Sequence, residues 1–110
     1  MKQNTIALVY DFDGTLTPKT MQDYTIIPRL KLNSNKFWAD ILNEANATDG
    51  EIMMIYMRQL ISHAESLDIK ITKDEFTFMA DKIKYFRGVK DWFTNINDYI
   101  KKNHKNIKVS

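Results

Sequence analysis

The chain of 110 residues contains no cysteine, three glycines, two prolines and two histidines. The absence of cysteine excludes a disulfide framework, a thiolate metal site and a catalytic thiol. No apolar run approaches the roughly 18 residues that span a bilayer. The first apolar run, Ile6–Tyr10, is also too short for the core of a signal peptide. We therefore predict a cytoplasmic protein with no membrane partner.

Neither sign of charge predominates in the sequence. Sixteen Lys and Arg residues face fourteen Asp and Glu residues, which leaves a formal net charge of +2. A balance this close to zero favours neither nucleic acid nor an anionic surface as a partner. Hydrophobic residues make up 44% of the chain, enough for the core of at most one ordinary domain.

Two segments near the ends of the chain are typical of strands. Ile6–Tyr10 is continuously apolar, as in a strand that helices cover on both faces of a parallel sheet. Ile107–Val109 indicates a second strand, and apolar residues at helical spacing from Val89 to Ile100 precede it. A strand, an excursion, a helix and a new strand are the opening of a right-handed βαβ unit. The pattern therefore predicts an α/β protein.

The segment from about residue 34 to 86 has a helical pattern. Thr48–Glu51 and Thr72–Glu75 both match the capping box, which predicts a helix start at each. The methionine-rich face of the middle helix could line a substrate pocket, but its helical spacing favours core positions. The predicted core faces are Phe37, Trp38, Ile41, Leu42 and Ala45; Met53, Tyr56, Met57, Leu60, Ala64 and Leu67; and Phe76, Met79, Ala80, Ile83 and Phe86.

Two aspartates, Asp11 and Asp13, follow the first predicted strand. In open α/β sheets, ligands bind outside the carboxyl ends of the strands. Two carboxylates this close together suit a hard cation such as Mg²⁺, which also binds substrate phosphates. One carboxylate can then attack a phosphoryl group while a second transfers protons. Gly14 lets the backbone turn sharply and approach a phosphate closely.

Residues 11–17, Asp-Phe-Asp-Gly-Thr-Leu-Thr, resemble motif I of the haloacid dehalogenase-like (HAD) hydrolases, whose pattern is D-x-D-G-T-[LV] after an apolar strand. The resemblance implies that Asp11 is the nucleophile that forms an aspartyl-phosphate. It also implies that the Asp11 carboxylate and the Asp13 backbone carbonyl ligate Mg²⁺, and that the Asp13 side chain is the general acid/base. Gly14 would then lie against the phosphate.

The rest of the chain looks like the C1-capped phosphatase type of this family, which is similar to phosphoserine phosphatases. The helical insertion lies where those members carry their cap, and the segment Phe86–Ile96 looks like the re-entry into the core. The resemblance implies an α/β fold in which a partial Rossmann-like HAD core carries an inserted helical C1-type cap. The core would comprise residues 1–17 and 87–110, and the cap residues 18–86.

The resemblance implies a Mg²⁺-dependent phosphomonoester hydrolase that acts on a small phosphorylated substrate. Asp13 favours this chemistry, because the dehalogenating members lack an acid two residues after the nucleophile. The family's later groups, a Ser or Thr, a Lys and an acidic pair, are not assigned here, although Ser110 is a candidate for the hydroxyl. We therefore expect an N-terminal fragment of low activity.

Other functions and other roles for single residues fit the same sequence. The chain could be a non-catalytic interaction module, or a relic that retains motif I, and its incomplete core would then favour self-association. Thr15 and Thr17 are interpreted as turn hydroxyls that bond to neighbouring backbone. His63 and His104 are interpreted as solvated or packed side chains, because the sequence places no catalytic partner beside them.

Overall fold

The structure, a computed structural model, describes residues 3–110. The chain divides into two compact units, one made of the residues up to Lys19 together with Lys84–Ser110, and the other of Thr20–Ile83. The division falls close to the limits of the insertion predicted from the sequence. Within the described residues, none of the helices has both the length and the apolar character needed to cross a bilayer.

The unit Thr20–Ile83 is helical. Two of its helices are single turns, and two are long enough to present a continuous apolar stripe. The helices are α1 (Met21–Tyr24), α2 (Ile26–Arg29), α3 (Ser34–Thr48), α4 (Ile52–Ser66) and α5 (Lys73–Ala80).

Helix α3 is defined by polar caps and by an apolar stripe. The Asn33 side chain accepts a hydrogen bond from the backbone N–H of Lys36 at its start, and Asp49 ends it in the left-handed conformation with φ of 52°. The α3 residues that become buried are spaced four apart, so they lie on one face. That face packs against α4 and the short α2 in a single core: Ile26, Ile27, Leu30, Phe37, Ile41, Ala45, Ile55, Ala64 and Met79.

The two predicted capping boxes have different outcomes. Thr72 caps α5, and its hydroxyl accepts the backbone N–H of Glu75 at 3.3 Å, so this predicted helix start is confirmed. Thr48 instead ends α3, where its hydroxyl donates to the carbonyl of Glu44 at 2.7 Å. Glu51 is the cap of α4, because its carboxylate accepts the N–H groups of Met53 and Met54. The first box was therefore a wrong prediction.

Part of the predicted core of α4 is also wrong. Met53, Met57 and Leu67 are about half exposed, whereas Ala64 is buried as predicted. The buried residue in the first turn is Ile55, two positions after Met53. Two residues turn a helix through about 200°, so Ile55 lies nearly opposite to Met53, whereas Ala64 lies on the same side as Met53. The buried positions of α4 are therefore not confined to one face.

The other unit contains the two strands and one long helix. These are β1 (Thr5–Ile6), α6 (Val89–Asn103) and β2 (Lys108–Val109). The strands pair in parallel, with Thr5 opposite Lys108 and Ile6 opposite Val109. No apolar side chain of this unit is buried within the described residues, and α6 has no buried position along its length.

The predicted α/β class, a partial Rossmann-like core carrying a helical cap, is wrong. About 56% of the chain is helical, and the sheet of the described residues has only two strands of two residues each. Ile6 and Val9 should be buried in such a core, but they are 48% and 91% exposed. Strand β2 has only two residues, so it cannot pair along the whole apolar run Ile6–Tyr10 or form a sheet that helices could cover.

The difference between two neighbours on α3 tests the helical core. Ile41 is fully buried and Leu42 is 49% exposed. We expect Ile41→Ala to lower the free energy of unfolding by about 2–4 kcal/mol, because it leaves a cavity. Leu42→Ala should cost less than about 1 kcal/mol. Urea unfolding in a Trp92→Phe background, where Trp38 reports on this unit, gives both values, and equal losses would contradict the core assignment.

An ion pair between α2 and α5 predicts a dependence on pH. Nη2 of Arg29 lies 2.8 Å from Oε1 of Glu75, and this hydrogen bond is the main cause that lowers the pKa of Glu75. A lowered pKa in the folded state stabilises the fold above the pKa of the unfolded glutamate, about 4.3. That stabilisation is lost as the pH falls through the folded pKa. The melting temperature of Glu75→Gln should therefore lie below wild type at pH 7 and match it near pH 3.

Glu65→Gln is the control for this pH dependence, because Glu65 is an exposed glutamate on α4. Its melting temperature should follow that of wild type at both pH values. A Glu75→Gln deficit that is as large at pH 3 as at pH 7 would mean that the carboxylate charge is not what stabilises the fold.

Candidate functional site in the Asp11–Thr17 loop

The candidate site is the loop Asp11–Thr17, which lies in the unit that holds the strands. The loop begins five residues after Ile6, the last residue of β1, whereas the sequence places it directly after a longer strand. One backbone hydrogen bond, from the N–H of Leu8 to the carbonyl of Ser110 at 2.9 Å, continues the pairing beyond β1. Asp11 therefore follows extended backbone that is only partly paired.

The backbone of the loop curls around one carbonyl group. The carbonyl of Phe12 accepts the N–H groups of Thr15, Leu16 and Thr17 at 3.2, 2.9 and 3.3 Å. Gly14 has a φ of 78°, a backbone conformation that residues other than glycine rarely adopt. A Cβ atom at Gly14 would meet no heavy atom within 4 Å. Glycine is therefore needed for the conformation of this turn and not for space.

The loop presents its two carboxylates to solvent. Asp11, Asp13 and Thr15 are all exposed, and the hydroxyl of Thr15 donates a long hydrogen bond of 3.4 Å to Oδ2 of Asp11. The backbone of Asp13 forms an isolated bridge with Thr17. The structure thus keeps Asp11, Asp13 and Gly14 within one turn. It also adds Thr15, whose contact with Asp11 the sequence analysis missed. The available signal was that Thr15 belongs to the same seven-residue motif.

Thr17 holds the loop from its inner side. Its side chain is fully buried, and its hydroxyl donates to the carbonyl of Lys19 at 2.7 Å and lies 3.4 Å from that of Phe12. The prediction that Thr17 bonds to neighbouring backbone is confirmed, and the same prediction for Thr15 is wrong. A buried hydroxyl with backbone partners has a structural role.

Contacts with the second segment of the unit fix the other side of the loop. The N–H of Phe86 donates to the carbonyl of Leu16 at 3.0 Å, and the rings of Phe12 and Tyr85 meet edge to face at 6.0 Å. Just before the loop, the hydroxyl of Tyr10 accepts the indole N–H of Trp92 at 2.6 Å. Residues far apart in sequence therefore hold both ends of the loop in place.

None of the other candidate residues belongs to this turn. His63 lies on α4 with its ring 6.3 Å from that of Phe37, and His104 ends α6 beside the ring of Tyr99. The strand register places Ser110 beyond Val109, level with Ala7, the residue that follows β1. At about 3.3 Å per residue, extended chain would place Asp11 about 13 Å further along. Ser110 therefore does not match the phosphate hydroxyl of the family pattern.

The donor atoms of the loop agree in type with Mg²⁺. This ion takes six oxygen ligands, keeps several waters and commonly uses one or two carboxylates together with substrate phosphate. The Asp11 carboxylate and the Asp13 backbone carbonyl are hard oxygen donors on an exposed loop. Residues 3–110 contain no group of three or more Asp, Glu or His side chains that could hold a metal. These two donors would fill only part of a magnesium shell, and water and a substrate phosphate would have to complete it.

Comparisons of the chain with protein-family models, with curated proteins and with solved structures find no match. The resemblance to the HAD hydrolases therefore depends on the sequence of the seven residues 11–17.

The conformation of Gly14 can be tested with two substitutions. Gly14→Ala should lower the free energy of unfolding by about 1–2 kcal/mol, because an L-residue with a Cβ is strained at positive φ. Gly14→Asn should cost less, because asparagine adopts this conformation more readily. Urea unfolding of both variants in a Trp38→Phe background, with Trp92 as the reporter, gives the comparison. Equal stability of Gly14→Ala and wild type would show that the turn has a different conformation.

Proposed function

We propose that this chain carries the nucleophile loop of a Mg²⁺-dependent phosphomonoester hydrolase, which acts through an aspartyl-phosphate on Asp11. The observation that supports the proposal most directly is the loop itself. It presents two exposed carboxylates in one turn, and the space beside Gly14 is open, with no heavy atom within 4 Å of where a Cβ would lie. An exposed carboxylate next to a hydroxyl donor is accessible to a phosphate ester, which a buried structural aspartate is not.

The proposed reaction divides between the two aspartates. An Oδ atom of Asp11 attacks phosphorus, and the bond from phosphorus to the ester oxygen breaks. Asp13 gives its proton to the leaving oxygen. Water then attacks the aspartyl-phosphate while Asp13 takes a proton from it, which releases phosphate and restores both carboxyl groups. The Thr15 hydroxyl, bonded to Oδ2 of Asp11, helps to hold that carboxylate in place.

Bound Mg²⁺ would supply positive charge that offsets repulsion between the carboxylate and the phosphate. The expected rate of the 110-residue chain is low. Preorganised charges around the phosphate usually provide most of the rate enhancement, and the cationic and hydroxyl groups of the family pattern are not assigned in this chain. A cytoplasmic location suits the proposal, because small phosphate esters and Mg²⁺ are both plentiful there.

A second candidate function is self-association without catalysis. It is favoured by the strand-containing unit, where Val9 is 91% exposed and Trp92 and Phe93 are each 43% exposed. Exposed apolar groups of this kind mark interaction surfaces. Asp11 would have no part in such a function, so its substitution separates the two candidates.

The catalytic proposal predicts a specific effect of Asp11→Asn. With p-nitrophenyl phosphate and Mg²⁺, we expect slow phosphate release by the wild-type chain and at least about a tenfold lower rate for Asp11→Asn, because an amide is not a nucleophile. The control is Asp98→Asn, which removes the same charge from an exposed position on α6 and should keep the wild-type rate.

A second readout does not need turnover. Beryllofluoride mimics a phosphoryl group on a carboxylate, and its complex is observed by fluorine NMR. We expect a Mg²⁺-dependent bound signal with wild type and with Asp98→Asn, and none with Asp11→Asn. If wild type gives neither hydrolysis nor this complex, or if Asp11→Asn retains more than about a tenth of the wild-type rate, Asp11 is not the nucleophile.

A further inference from the structure

The helical unit Thr20–Ile83 contains a cavity of about 540 Å³, formed by residues of α1, α2, α4 and α5. Every lining residue belongs to this one unit. The volume lies within the range of small-molecule sites, about 300–1,000 Å³. Three other cavities in the described residues are smaller, with about 400, 270 and 230 Å³. The cavity therefore has the size of a ligand site and does not depend on the Asp11 loop.

The wall of the cavity is mostly apolar, and it includes aromatic and methionine side chains. Ile26 is 3% exposed, whereas Met57, Ile61 and Phe76 are each about half exposed. Apolar side chains that remain this accessible gain free energy when a ligand removes them from water. Aromatic rings favour edge and stacking contacts with other rings and with methionine sulfur, and Tyr56 adds a second ring to the wall. These walls suit a flat, apolar molecule.

Three polar side chains line the cavity, and one of them has an unsatisfied acceptor. The Thr25 hydroxyl already donates to the carbonyl of Met21 at 2.8 Å. Oε1 of Gln22 is buried and has no hydrogen-bond partner among residues 3–110. A buried acceptor without a donor is unfavourable, and most such atoms in folded proteins have a partner. The terminal amide of glutamine rotates over a broad range, so a turn of this group can bring its oxygen to a ligand.

We propose that this cavity is a binding site for a small planar apolar molecule with one N–H or O–H donor, which bonds to the side-chain oxygen of Gln22. An indole-like heterocycle has this chemistry. A partner helix, with a diameter of about 10–12 Å, would lie across the opening and leave the buried Gln22 oxygen without a donor. The site goes beyond the proposed hydrolase function, because none of its residues belongs to the loop Asp11–Thr17.

The probe is indole, and its matched control is 1-methylindole, which has the same rings but no N–H. Amide NMR titration of the whole chain should show shifts at the cavity residues with both compounds. Indole should bind about three- to tenfold more tightly, which corresponds to one hydrogen bond. In Gln22→Leu the two affinities should become equal, because the acceptor is gone and the apolar volume remains. Asp11→Asn should bind indole as wild type does, so a failure of the hydrolase proposal would not affect this result.

Two substitutions of alanine by leucine test the location of the site. Ala80→Leu fills part of the cavity from α5 and should weaken indole binding at least about fivefold, as lost apolar contact implies. Ala39→Leu adds the same side chain at an exposed position on α3, away from the cavity, and should bind as wild type does. Equal affinities of wild type for indole and 1-methylindole, no binding of either, or normal binding by Ala80→Leu would each overturn the proposal. The comparison of the two compounds on wild type needs no variant to fold.

Discussion

The packing of α3 against α4 is the interaction on which the helical unit depends. It buries the stripe of Phe37, Ile41 and Ala45 against Ile55 and Ala64, and each large side chain buried contributes about 1.5–3 kcal/mol. Helices of four residues are not stable alone. Helix α2 places Ile26 and Ile27 in this core, and Asp23 of α1 accepts hydrogen bonds from Ser34 and Trp38 of α3. The cavity lies in the same unit, among residues of α1, α2, α4 and α5 and without a lining residue from α3.

The strand-containing unit is held together differently. Its described residues bury no apolar side chain, and Thr17 is its one buried residue. The loop Asp11–Thr17 keeps its conformation through local bonds to the Phe12 carbonyl and through contacts of Leu16 and Phe12 with Phe86 and Tyr85. Local bonding of this kind forms the turn that carries both aspartates without a large sheet. The chemistry proposed for Asp11 therefore depends on the turn more than on the fold class.

The accuracy of the sequence predictions differs between kinds of feature. The start of α5 was predictable, because the Thr72 cap bonds to a backbone group three residues away. The same pattern failed at Thr48, since its hydroxyl bonded back to the carbonyl of Glu44 inside α3. The apolar run Ile6–Tyr10 predicted a buried strand. It remains exposed because its one partner among residues 3–110, β2, has only two residues. The short helices α1 and α2 were missed, although Thr20 is a cap signal three residues before Asp23.

The sequence by itself determined the features that depend on near neighbours along the chain: the long helices, the cap at Thr72, and a turn at Gly14 that places Asp11 and Asp13 together. Their bonds span five residues or fewer, so they form without a distant partner. Tertiary structure decided which side chains of α4 are buried, the exposure of the Ile6–Tyr10 run, and the cavity with the unpartnered Gln22 oxygen. Those features depend on which surfaces pack against each other. Helical or strand periodicity in the sequence indicates that a face is apolar, but it does not indicate what covers that face.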